Sequence, residues 1–252
     1  MKHLLIFFLL WFPLFTFGQE QAFGLDEKLG QYLPDSIYVL NEDSIPVLLD
    51  LLIDKPTLLS FVYYRCTALC PKSLSGIAEL VNYTEAIPGK DYRIITISIN
   101  HRESSRESRE AKKKYTAEIH KSIDPYFWRF FTADSPSIRK ITGATGWNFR
   151  ENEDHFVHTT SSILITPEKM ISQYFYGTYF NYMHFSMSVE KAKNELTEPT
   201  RLKTLKYCYN YKPKENNSLL RLFRIFAITL IILIVLLFVY LAFSMSGKIF
   251  KV

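Results

Sequence analysis

The chain has 252 residues, 48% of them apolar and 22% charged, with a formal net charge of +5. Five of its thirty basic residues (Lys2, Arg221, Arg224, Lys248 and Lys251) lie near the two ends, leaving twenty-five basic against twenty-five acidic residues over positions 19–218. The central part is therefore formally neutral, which argues against a nucleic-acid surface, and it is long enough for one domain with a sizeable core.

In chain order, Met1-Lys2-His3 is a short basic start followed by a nearly unbroken apolar stretch over 4–17, interrupted by Pro13. It is too short for a comfortable membrane span, and small residues precede Gln19, so a secretory signal over 1–18 is expected. Strands are predicted at 37–40 and 47–52, then a buried strand over 57–64. Apolar residues at Leu74, Ile77, Ala78 and Val81 predict an amphipathic helix over 71–86, closed by Pro88-Gly89. A β-branched strand is expected over 92–99, a helix over 104–121, a strand over 127–132 and a short helix over 135–142 with Pro136 near its start. The segment 102–114 alternates acidic and basic residues and reads as a solvated helix face. Two strands, 161–166 and 171–176, joined through Pro167, and a helix over 185–196 complete the domain. No internal repeat or low-complexity tract is present.

Residues 199–218 read as a tether, and 225–243 (IFAITLIILIVLLFVYLAF) carry no charge and no polar face. That stretch predicts a transmembrane helix within 219–245, followed by a short cytoplasmic tail over 246–252. Basic residues flank both sides, so orientation comes from the export signal: the domain over 19–198 faces the periplasm or the outside of a bacterial inner membrane.

The most informative segment is Phe61-Val-Tyr-Tyr-Arg-Cys-Thr-Ala-Leu-Cys-Pro71, which sets Cys66 and Cys70 four apart at the end of a buried strand. If the chain turns helical there, both sulfurs can face one point, ready to form a disulfide or grip a soft metal. A strand, a cysteine pair opening the next helix, βα alternation and a terminal hairpin make a thioredoxin-like order within the α/β class, with additional N-terminal strands and a late β-hairpin. The spacing is Cys-x3-Cys, one longer than a thioredoxin redox pair.

The Phe61–Pro71 segment resembles the copper-site loop of the SCO1/SenC family. Downstream, Phe156-Val-His158-Thr-Thr-Ser-Ser-Ile-Leu-Ile-Thr-Pro167 is similar to that family's metal-ligand histidine segment, and Tyr174-Phe-Tyr-Gly177 continues the likeness. The resemblance runs over roughly 33–212, and Tyr207-Cys-Tyr-Asn-Tyr-Lys-Pro213 before an apolar stretch is similar to a C-terminally anchored bacterial branch. Thr67, Asn100-His101 and Thr166 depart from the family pattern, which leaves the family's acidic residue at position 100 without a counterpart.

The resemblance implies copper bound by Cys66, Cys70 and His158. It further implies delivery of copper to, or reduction of the cysteines of, the dinuclear copper centre of cytochrome c oxidase subunit II, with an upstream copper donor or thiol reductant as a second partner. Such a protein is a metallochaperone and not an enzyme in the turnover sense. Independently of the family, two thiolates and an imidazole form a soft, open donor set that favours Cu(I) and can hold Cu(II). Oxidation to a Cys66–Cys70 disulfide would abolish binding.

Other readings stay open at this point. The cysteine pair could be a structural disulfide, or the redox pair of an envelope thiol–disulfide oxidoreductase or peroxidase. His155, three residues earlier, ranks second to His158 for the ligand role, while His101, His120 and His184 have no partner motif. Cys208 could be a buried thiol, an intermolecular disulfide partner or an additional copper contact.

Overall fold

The structure, a computed structural model, describes residues 24–122, 124–152, 155–200, 207–208 and 226–236. The expected signal over 1–18, residues 201–206 and 209–218 of the tether, and the tail over 246–252 lie outside the described residues. The chain divides into two units, residues 1–210 and 211–252.

In the first unit the elements follow one another as β1 (Gly24–Leu25), β2 (Tyr38–Leu40), β3 (Pro46–Leu48), a 3-10 turn (Leu49–Leu52), β4 (Thr57–Val62), α1 (Leu69–Tyr83), β5 (Arg93–Ser98) and α2 (Ser105–Thr116). They continue as β6 (Trp128–Phe131), α3 (Ser135–Ala144), β7 (Trp147–Asn152), β8 (His155–Thr159), β9 (Ser161–Ile165), β10 (Ile171–Tyr176), α4 (Tyr182–Lys193) and β11 (Tyr207–Cys208). A five-stranded sheet has the order β10-β9-β4-β5-β6. Its β4, β5 and β6 are parallel, and β9 runs antiparallel to both β4 and β10. Such a mixed sheet, with the cysteine pair just beyond β4, is the expected thioredoxin-like α/β fold.

Every residue of β4 is buried. An unbroken run Thr-Leu-Leu-Ser-Phe-Val fits a central strand covered on both faces. Both sheet edges are protected. The β2–β3 hairpin reaches β6 through Leu40 and Thr132, whose amides and carbonyls bond reciprocally at 2.7 and 3.0 Å. Along β10, the Ile171 amide donates to the Gln31 carbonyl at 2.8 Å, and the Leu33 amide to Lys169 at 2.9 Å. Covering both edges removes templates for pairing with other chains.

Helix boundaries follow local chemistry. Ser104 and Glu107 form a capping box at the start of α2, and the Asp134 carboxylate caps α3 ahead of Pro136. Helix α1 starts at Leu69, so Cys66 precedes it and only Cys70 lies in its first turn. The charge-rich segment is not uniformly solvated. Arg106, Glu110, Lys113 and Lys114 are exposed, but Glu103 and Glu107 are buried.

A second sheet, β1-β7-β8-β11, has no counterpart in the sequence reading. Trp147–Asn152 is mostly polar after its first residues and exposed at its end, so it lacks the alternation that marks a half-buried strand. Tertiary pairing with β8 makes it a strand. In the second unit, residues 226–236 are helical and exposed throughout. Among the described residues no helix is long and apolar enough to cross a membrane. The helix covers part of the predicted span, and the remainder of 219–245 lies outside the described residues.

Candidate metal centre

The centre is built where the buried strand β4 ends and α1 begins. After Val62 the chain turns, and the Cys66 amide donates to the Tyr63 carbonyl at 3.1 Å. Helix α1 has no side-chain N-cap. The amide of Ala68, its N-cap residue, points instead at the Cys66 sulfur, 3.4 Å away. An amide directed at sulfur favours the thiolate electrostatically, as amides at a helix start do for anions in general. Pro71 is tolerated because first-turn amides have no intrahelical acceptor. Both thiols are buried, with Cys66 5% and Cys70 2% exposed. Their neighbours Arg65 and Thr67 are exposed, so the site lies just under the surface.

The third predicted residue comes from the second sheet. His158 on β8 is 2% exposed, and its Nε2 lies 3.7 Å from the Cys70 sulfur. Its Nδ1 is 2.8 Å from the Thr159 carbonyl oxygen, which can only accept, so Nδ1 carries the proton and Nε2 presents a lone pair toward the sulfur. Burial pushes the His158 pKa down, opposed by the Thr159 carbonyl and the charge of Cys66, which favours the neutral imidazole that ligates metals. The ring is held against Trp147 at 5.0 Å between centroids and edge-on to Tyr63 at 6.4 Å. Position 155 falls on the opposite face of β8 from position 158, because side chains alternate along a strand. The His155 side chain lies outside the described ones.

Two carboxylates that the sequence reading did not single out hold the cysteine loop. The Glu103 carboxylate accepts from the Tyr64 amide at 2.8 Å, the Arg65 amide at 2.7 Å and the Ser98 hydroxyl at 2.6 Å. Burial raises its pKa, and these three donors oppose that shift. It places an acidic group three residues beyond Asn100, the position where the family's carboxylate was lacking. Glu107 pairs with Arg65 and accepts from the Ser104 hydroxyl at 2.5 Å, and these bonds draw its pKa down to about 2. Buried Tyr115 on α2 has its pKa pushed up to about 12, first by burial and then by Glu118, Cys70 and Cys66. The signal for Glu103 was a carboxylate between a strand end and a capping box, masked by the surrounding charges.

Among the described residues, no three His, Cys, Asp or Glu side chains are already gathered closely enough to hold an ion together. The 3.7 Å between Cys70 and His158 is less than the sum of two metal–donor bonds of about 2.3 and 2.0 Å, so one ion can touch both without movement. The donor chemistry fits a soft ion such as copper. Cys66 is close enough to act electrostatically on His158 and sits on a turn outside the helix. A cleft of about 410 Å³ lined by His101, Arg139, Phe149, Arg150 and Glu151 does not include the thiols. His101 and His120 are exposed, and His184 bonds Gln173 across 3.1 Å, so these three stay apart from the centre.

A thioredoxin-like domain with a buried Cys-x3-Cys pair facing an imidazole defines a class of thiol-based metal or redox proteins. The chain belongs to the SCO1/SenC family, whose model matches residues 38–192. None of the curated proteins matches it. Among solved structures, a protein from Aquifex aeolicus VF5 is 26% identical with a TM-score of 0.60, covering 66% of this chain and 95% of its own. Arabidopsis thaliana ScoI, solved with copper bound, is 19% identical with a TM-score of 0.52, covering 67% and 99%. BsSco, a member of the Sco family of cytochrome c oxidase assembly proteins in which a disulfide switch was identified, is 18% identical with a TM-score of 0.54, covering 67% and 97%. At these last two identities the likeness is one of fold.

Proposed function

We propose that this protein binds one copper ion through Cys66, Cys70 and His158 and serves cytochrome c oxidase assembly, delivering copper to, or reducing the cysteines of, the dinuclear copper centre of subunit II. The observation that carries the reading is the 3.7 Å approach of Cys70 to a His158 whose Nε2 lone pair is free of a proton. Family membership and the copper-bound Arabidopsis relative of the same fold support it. His158 is the fixed donor, locked by Thr159 and Trp147. Cys70 is held by the first turn of α1, and Cys66 sits on the turn before it. Copper is the cargo, and a three-donor set leaves a position for an incoming ligand from the oxidase. The domain is exported and held at the bacterial inner membrane by the C-terminal apolar segment. The described part of that segment, 226–236, is an apolar helix, as a lipid-facing helix must be.

The test is copper stoichiometry and absorption of the reduced chain, wild type beside His158→Ala. About one copper per chain, with a thiolate-to-Cu(II) band altered or lost in H158A, is the expected result. A second reading, an envelope thiol–disulfide oxidoreductase or peroxidase, is favoured by two buried cysteines four residues apart at the β4–α1 junction. Thiol-dependent activity that survives H158A but fails with either cysteine replaced, without stoichiometric copper, would select it.

A further inference from the structure

Beyond α4 the chain returns to the second sheet as β11, whose two residues pair antiparallel with β8. The register sets Tyr207 opposite Thr159 and Cys208 opposite His158. Directly opposed residues of an antiparallel pair share one sheet face, with Cα atoms about 4.5–5.5 Å apart. The same short strand lies beside α1, the helix that carries Cys70. Position 208 therefore adjoins the two elements whose side chains already meet, Cys70 and His158 at 3.7 Å. A one-residue slip would put a tyrosine opposite the imidazole and move the cysteine to the other face, so the register is what makes the juxtaposition chemically meaningful.

We infer that Cys208 is a third sulfur donor to the Cu(I) form, taking the position that Cys66, Cys70 and His158 leave open until an incoming ligand of the oxidase displaces it. The inference rests on the copper reading above and extends it with a residue outside the Cys-x3-Cys and histidine motifs. Position 208 does not stand alone here: it lies across the ladder from His158, whose imidazole already meets Cys70. Thiolates are the donors that select Cu(I), and a third would hold the reduced ion more tightly than the two-thiol set. Because Cys208 follows the tether's start, copper binding would also fasten the membrane-proximal end of the chain to β8 and α1.

The experiment is X-ray absorption at the copper edge on the full-length, Cu(I)-loaded chain in detergent, with Cu(I) affinity measured by competition against a chromophoric chelator. Three sulfur donors per copper in the wild type, falling to two in Cys208→Ser with affinity at least about tenfold weaker, is expected. Two sulfurs in the wild type overturn the inference without requiring any variant to fold, and leave the reading with Cys66, Cys70 and His158 standing. An unchanged sulfur count with unchanged affinity in C208S overturns it equally. Failure of the wild type to hold about one copper overturns both the inference and the reading beneath it.

Discussion

Single residues set the electrostatics of the cysteine loop. Glu107 has only about 8% of its side chain exposed, while its partner Arg65 is 62% exposed, so solvent screens the pair and its worth is about 1 kcal/mol. The Ser104 hydroxyl and Arg65 draw its pKa from 4.5 to about 2. A carboxylate with a depressed pKa in the folded state is protonated first in the unfolded chain. Its contribution is thus present above about pH 4.5 and is lost as pH falls toward about 2. Glu107→Gln should be less stable than the wild type at pH 7 by about 1 kcal/mol, with the difference shrinking toward pH 3, as read by thermal unfolding at both pH values. At this scale the cysteines and His158 were legible, because thiol and imidazole have few structural reasons to recur at such spacing. Glu103 was not, because its carboxylate looks like its solvated neighbours until β4, β5 and α2 close around it.

At the level of elements, α1 decides how well the centre is aimed. Gly76 lies in the middle of α1, and a Cβ there would sit 1.9 Å from the Thr178 carbonyl oxygen. That oxygen belongs to the backbone just after β10, so it cannot swing aside, and Gly76→Ala must displace the helix. The expected cost is about 1–3 kcal/mol, lowering the melting temperature by several degrees. Because α1 carries Cys70, copper affinity should fall with it, and a variant that melts normally and binds copper normally would refute the packing argument. The strands of the central sheet were legible from β-branched runs such as Arg93–Ser98, buried from its second residue onward. The β7–β8 hairpin was not, since one of its strands is polar and its pairing partner supplies the order. His158, expected in a segment leading to a strand, lies within a strand of that second sheet.

For the whole molecule, the expected arrangement is an exported domain tied to a membrane by its C-terminal end. A chain cut after residue 218 should partition into the soluble fraction under carbonate extraction, while the full chain stays with the membranes. Release of the full chain by carbonate would refute the anchor. What the sequence determined alone was local and chemical: the apolar ends, the alternation of strands and helices, and the thiols and imidazole at 66, 70 and 158. Each depends on residue type and short-range spacing. Tertiary structure decided which of these side chains meet. Cys70 and His158 are 88 residues apart in the chain, and only the packing of the second sheet against the β4–α1 junction brings them to 3.7 Å. The same pairing sets position 208 across from the histidine, a relation carried by register between distant strands, which no local pattern encodes.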